Sequence, residues 1–383
     1  MKKNLFMTAA AIAALLTGCS TDEEIANIET SAKNAIGFNI VSNGAETKAT
    51  PIKPGNLTTT DFDVFAFNST TGDLFMGTHK GTFGHDGVDI VYNNENKKWV
   101  YKNPADLAYW PTNQLDFYAV SPATVDVNLF GFLTWLIHSD EQKIKYSTGD
   151  EFSNKNNPKN IDVMYAVAKN QTKDTNHGVV QLKFKHTLSQ VLFNAKVQYK
   201  SMKVTIKNME IKCFYTGGTF TIPADGSNPT KENWTYNESQ HTTGGRGYTI
   251  AKDTTVVVAS TETPAWITNV ENPMLFIPQT LTAWKTAVGA PITKKDADSD
   301  NTQSYLVINC KIEQSGSTLY DGTLYIPFGA EWQPGKRYIY TLIFGGGYDD
   351  KGLPILTPIT FEPTVEDWVE ASGYTEQIPA YKN

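Results

Sequence analysis

The chain has 383 residues and a formal net charge of −7 at neutral pH, with 40 Asp and Glu against 33 Lys and Arg. A nucleic-acid partner would need a basic face, and only two arginines, Arg246 and Arg337, occur anywhere, so no nucleic-acid role follows. At roughly 150 residues per domain the length points to two domains, and a 40% hydrophobic content allows each a substantial core.

Lys2 and Lys3 precede an apolar run from Leu5 to Leu16, a positive n-region and an h-region of secretory length. A bilayer-spanning helix needs roughly 20 apolar residues, so residues 1–18 read as a leader. Leu16-Thr17-Gly18-Cys19 resembles the lipobox of bacterial lipoproteins, which implies a lipid on the Cys19 sulfur and a cut just before it. Acyl chains at this position anchor by burying methylenes, each contributing about 0.8 kcal/mol. Ser20, Thr21, Asp22, Glu23 and Glu24 resemble the acidic signal that sends lipoproteins of some Gram-negative anaerobes to the outer face of the outer membrane. Residues 19–34 form a tether.

Ile36-Gly37-Phe38-Asn39-Ile40 alternates apolar with small or polar residues, the pattern of a half-buried strand. It runs into Asn43 to Pro51, where Gly44 and Pro51 bracket an exposed loop. Strand patterns follow at 62–67, 88–92, 99–101, 115–119 and 161–167, separated by turn sequences such as Thr71-Gly72-Asp73, the rhythm of a β-sandwich. Asn128 to His138, with Leu129, Phe130, Leu133, Leu136 and Ile137, predicts one short amphipathic helix. Val179 to Ala195 reads as the crossing into a second unit, and further strands are expected from Lys203 to Glu362. The fold class is therefore all-β: two tandem sandwiches with Greek-key-like (transthyretin-like) topology, at 35–178 and 179–383.

Residues that could carry chemistry do not converge. His79 and His85 lie among glycines, and Asp296-Ala297-Asp298-Ser299-Asp300-Asn301 lacks the Gly and Glu that a calcium loop needs at its sixth and twelfth places. Both read as surface loops, and no metal or cofactor is expected. Gly244-Gly245-Arg246-Gly247 and Gly345-Gly346-Gly347 read as turns. No nucleophile elbow, zinc motif or carboxylate pair is present, so an enzyme is not expected. Cys213 and Cys310 fall on apolar strand faces; two buried free thiols are the preferred reading, with a disulfide left open. Trp234, Trp266 and Trp284 lie in looser sequence and could form a sugar-binding platform, which gives an alternative role as a carbohydrate-binding surface lipoprotein of a glycan-uptake system.

Several stretches together resemble the fimbrillin family, two-domain lipoprotein precursors of pili. They are the lipobox at Cys19, the strand Ile36 to Ile40 with Glu46-Thr47-Lys48-Ala49 behind it, Phe62 to Ala66, Tyr109-Trp110-Pro111 with Leu115 to Ala119, Leu182 to Val191, Trp332 to Tyr340, and Val365 to Trp368. The resemblance implies a surface-exposed pilus subunit or adhesin, anchored in the outer membrane by lipid, whose surface ligand stays unnamed. It also implies a cut by a trypsin-like protease in the loop after the first strand, matched here by Lys48-Ala49. Loss of Ile36, Phe38 and Ile40 would then open a groove for strand complementation by another pilin subunit. With no arginine before Arg246, that cut requires Lys specificity. The C-terminal Tyr374 to Tyr381 is a poor donor, because Glu376 shares a face with Tyr374 and Ile378 and Pro379 has no ladder donor. His186 in the Phe184-Lys185-His186 corner reads as structural.

Overall fold

In a computed structural model the chain is described over residues 34–40, 61–78, 87–95, 98–123, 133–148, 161–242, 247–251, 255–270, 273–285, 302–345, 347–348, 354–355 and 360–367. The expected positions Cys19, Lys48 and Ala49, the His79–His85 loop, Asp296–Asn301 and the C-terminal segment after 367 lie outside these residues. The fold is all-β, as expected, and built of packed sheets.

The first large sheet orders its strands Lys185–His186, Met164–Gln171, Leu115–Ser121, Phe62–Asn68, Val88–Asn93 and Lys98–Tyr101, with Leu74–Met76 added beside Phe62–Asn68. Its two central strands are mostly apolar, and both of their faces are buried. Phe62, Val64 and Ala66 point into one apolar cluster with Leu115, Phe117 and Ala119. Phe65 and Phe67 point into another with Tyr118 and Val120. Alternation along a strand thus feeds two cores at once.

The second of these clusters is closed by a four-stranded sheet of Trp234–Tyr236, Gly217–Thr221, Gln142–Ser147 and Leu133–Ile137. Here the helix expected over 128–138 is overturned in its described part: Leu133–Ile137 is a strand paired with Gln142–Ser147, while 128–132 lie outside the described residues. Leu133, Leu136 and Ile137 satisfy a helical spacing, yet Leu133, Trp135 and Ile137 also alternate, and all three of the latter are buried. The cross-strand ladder decides between two periods that five residues cannot separate. Among the described residues the helical elements include single 3-10 turns such as Pro104–Asp106 and Lys231–Asn233.

The other half of the molecule packs Ala265–Trp266, Ser189–Val197, Lys336–Phe344 and Thr360–Asp367 against a sheet built on Met202–Lys212, Gln303–Gln314 and Ser317–Pro327. Ser189–Val197 and Lys336–Phe344 run parallel over eight paired positions. Between the sheets lies the largest core, centred on Phe193, Phe276, Trp332 and Tyr340. Trp332 stacks on Phe276 at 5.3 Å and donates from Nε1 to the Tyr340 hydroxyl at 3.0 Å. Cys310 belongs to this core, Cys213 to a small cluster with Trp284 and Tyr305, and neither is in a disulfide. Among the described residues, hydrogen-bond ladders cross residue 178/179 three times, one of them between Lys185–His186 and Met164–Gln171. Val179–Leu182 pairs with Gly37–Ile40, and Gly217–Thr221 pairs with Gln142–Ser147.

Candidate functional site

Gly37–Ile40 is one of the two short strands that cover the outer cluster of the first large sheet. It lies parallel to Val179–Leu182, with Phe38 opposite Val180 and Ile40 opposite Leu182. The residues just before it pair on the opposite side: Ile36 N donates to Ala108 O at 2.9 Å, Trp110 N donates to Asn34 O at 2.9 Å, and Ala35 bridges Tyr109 antiparallel. One strand therefore has two backbone walls, antiparallel at its start and parallel further on. The Trp110 indole fixes the meeting of those walls by donating from Nε1 to Gly178 O at 2.9 Å.

Side chains set the fit. Ile36 and Phe38 are buried, at 1% and 6% exposure, while Ile40 is half-buried at the rim. The Phe38 ring sits 5.9 Å from Tyr101, 6.0 Å from Phe117 and 6.5 Å from Phe62, in edge and tilted contacts that each add about 0.5–1.5 kcal/mol beyond area burial. Tyr101 donates its hydroxyl to Ile36 O at 3.0 Å. Burial pushes the Tyr101 phenol well above its ordinary value, against the opposing effect of the Ala108 backbone, so it remains a donor at neutral pH. At the rim, Asn39 Nδ2 donates to Gln181 Oε1 at 3.0 Å. Tyr101, Ala108 and Gln181 were not singled out from sequence. The Asn39–Gln181 pair spans 142 positions, and no local pattern signals a partner that distant.

The remaining candidates fall elsewhere. Trp234 and Trp284 are buried at 4% each, which corrects the expected sugar platform. The Trp234 ring packs 5.4 Å from Phe220 and donates to Thr187 O, and Trp284 packs 6.0 Å from Tyr305. The short polar stretches around them are strand ends that cap a core. Trp266 alone of the three is exposed, at 40%. His186 is buried beside Asp162, with Nδ1 and Oδ1 3.0 Å apart. Asp116 accepts from Ser69 Oγ at 2.7 Å and Asn170 N at 2.8 Å and pairs with Lys169 Nζ at 2.5 Å. That closed network ties strand ends together and leaves no reacting group free. Among the described residues no group of three or more His, Cys, Asp or Glu is placed to hold a metal ion, and no helix is long and apolar enough to cross a membrane.

A profile of fimbrillin-like proteins matches residues 47–368. The chain belongs to the fimbrillin-like family. This is a family of fimbrial and adhesion-type structural proteins, not of enzymes, and membership implies exposure at the cell surface. The match to the fimbrillin-like profile begins behind the leading strand and ends at the last described one. A fimbrial protein from Bacteroides vulgatus is similar over 88% of this chain and 100% of its own, with 16% identity and a TM-score of 0.56, and so shares the fold. A proposed cell adhesion protein from Bacteroides eggerthii aligns over 88% of this chain and 96% of its own, at 14% identity and a TM-score of 0.47. The tip fimbrial protein Mfa3 of Porphyromonas gingivalis, truncated at its C-terminus, aligns over 81% and 94%, at 11% identity and a TM-score of 0.37. No curated protein sequence matches this fimbrillin-like chain.

Proposed function

We propose that this chain is a pilus subunit or surface adhesin, exported as a lipoprotein on Cys19, cut after Lys48, and joined to other pilin subunits through the berth of its leading strand. The observation that carries this reading is how residues 34–40 are held. Gly37–Ile40 is a short strand laid on a sheet face, the backbone of 34–40 has partners on both sides, and Ile36 and Phe38 are buried. A strand inside a ladder cannot leave without breaking the sheet, whereas this one can leave the large sheet intact. Its departure would uncover Phe62, Phe117 and Val180, and two large buried side chains forfeit about 1.5–3 kcal/mol apiece. An emptied berth is therefore adhesive toward another extended segment.

The test is the native mass of protein shed from expressing cells, with and without Lys48→Gln. Loss of everything through Lys48 together with a ladder of oligomers, both abolished by the substitution, is the expected result. A lipidated full-length monomer in both cases would overturn the assembly step.

A further inference from the structure

A strand at the end of a sheet leaves half of its backbone groups unpaired and is a template for another strand. Most end strands here are short, such as Lys98–Tyr101 and Leu133–Ile137. Ser317–Pro327 is the longest of them, at 11 residues, and among the described residues only Gln303–Gln314 pairs with it. Its register fixes which groups face outward. Phe328 N donates to Ser304 O at 3.1 Å, and the pairing runs without a shift from Tyr305 opposite Pro327 to Ile312 opposite Tyr320. Alternate residues of an antiparallel strand turn their backbone groups to opposite sides. Tyr320, Gly322, Leu324 and Ile326 therefore bond to Gln303–Gln314, while Asp321, Thr323 and Tyr325 present N–H and C=O to the free edge. Pro327 falls in the outward set, where its missing N–H breaks no ladder bond.

We propose that Tyr320 and Asp321 hold this edge shut against a second copy of the chain. The Tyr320 hydroxyl donates to Thr323 O at 2.8 Å, which occupies the acceptor in the middle of the outward row. That reach depends on Gly322. A Cβ there would meet Tyr320 Oη at 2.8 Å and Cζ at 3.0 Å, so the ring crosses the strand over a position kept bare, which accounts for a glycine inside a strand it would otherwise weaken. Burial pushes the Tyr320 phenol above its ordinary value, and it stays a donor at neutral pH. Asp321 adds a charge, 49% exposed and 2.5 Å from Lys207, that a second strand would have to cover.

A second copy is the partner at issue because the edge is complementary to itself. Laid antiparallel about Gly322, two such strands set Asp321 opposite Thr323 and Leu319 opposite Tyr325, so no like charges are directly opposed. The Asp321 N–H of each copy then aims at the Thr323 carbonyl of the other. The Tyr320 hydroxyl already holds one of that carbonyl's two lone pairs, which weakens the pairing at its centre.

The test uses the chain from residue 19 onward carrying Lys48→Gln, so that strand exchange after a cut adds nothing to association. Sedimentation equilibrium should find it monomeric, with the amides of Asp321, Thr323 and Tyr325 exchanging fast and those of Tyr320, Gly322 and Leu324 slowly. Tyr320→Phe, which keeps the ring, should strengthen dimerisation about 10- to 100-fold over this parent, as for one freed acceptor in each copy. Adding Asp321→Thr should strengthen it further, and the three outward amides should gain protection as the dimer forms. Thr323→Pro removes an N–H that Gln303–Gln314 does not use, and it should return the double variant to a monomer. Dimerisation no stronger in either variant than in the parent, a dimer without protection at those three amides, or one that survives Thr323→Pro would overturn the guard. Slow exchange of Asp321, Thr323 and Tyr325 in the parent monomer would overturn it without any variant, since the edge would then already be covered.

Discussion

The leading strand and the long hairpin of the other half bury apolar side chains equally well but hold them differently. Gln303–Gln314 is hydrogen-bonded along nearly its whole length to Met202–Lys212 on one side and Ser317–Pro327 on the other. Gly37–Ile40 has four paired positions on one side and a few bonds from its flanking residues on the other. Burial per side chain gives similar local energies, yet only the hairpin is woven into a continuous ladder. The difference separates how much an element stabilises from how readily it departs.

The sharpest way to break this contrast is to truncate one anchor in each region. Trp332→Ala should lower global stability by about 3–5 kcal/mol in urea denaturation, because the ring is fully buried, stacked on Phe276 and bonded to Tyr340. Phe38→Ala removes a ring of similar burial, but its effect should be local. Amide exchange should accelerate at 34–40, 108–110 and 179–182 while the global midpoint moves less than for Trp332→Ala. Equal shifts in global midpoint would show that the leading strand is as integral as the hairpin.

Two aspartates on the first large sheet sharpen the picture on a smaller scale. Asp116 is pushed up by burial, but bonds from Asn170 N, Lys169 and Ser69 outweigh that and hold its carboxyl below the ordinary 3.8. Its contribution to stability is complete above the ordinary value and is lost as pH falls through the lower folded one. Asp63 is held well above 3.8 by burial first and by its cross-strand neighbour Asp89 second. It favours the fold while protonated, so between 3.8 and its folded value stability declines as pH rises. Asp116→Asn should therefore destabilise at pH 7 and do less at pH 3. Asp63→Asn should be neutral at pH 3 and stabilising at pH 7, as read from thermal midpoints at both pH values. The smallest effect belongs to Trp266→Ala, expected to change stability by no more than about 0.5 kcal/mol because the ring is exposed; a larger loss would mean that the exposed ring is held by contacts that matter to the fold.

Most strands were legible because alternation survives wherever one face meets a core. Met202–Lys212 and Gln303–Gln314 show it plainly, with burial switching at nearly every residue. Legibility failed where two periods fit one segment, as at Leu133–Ile137, and where a tryptophan in polar sequence proved to be a core cap, as with Trp234 and Trp284. At the candidate site, Ile36, Phe38 and Ile40 could be read from their own alternation. Their partners could not, since Tyr101, Ala108 and Gln181 are joined to them only by the tertiary fold. Pairing between distant strands is set by the sum of side-chain fits over the sheet, which no short window contains.

The most direct measurement is hydrogen exchange on the chain from residue 19 onward, before and after a site-specific cut engineered between residues 43 and 51. Cutting should let the fragment bearing residues 34–40 dissociate and raise exchange at 108–110 and 179–182, while Met202–Lys212 and Gln303–Gln314 keep their protection. Retention of the fragment with unchanged exchange at its two walls, or loss of protection throughout the molecule, would contradict a separable leading strand.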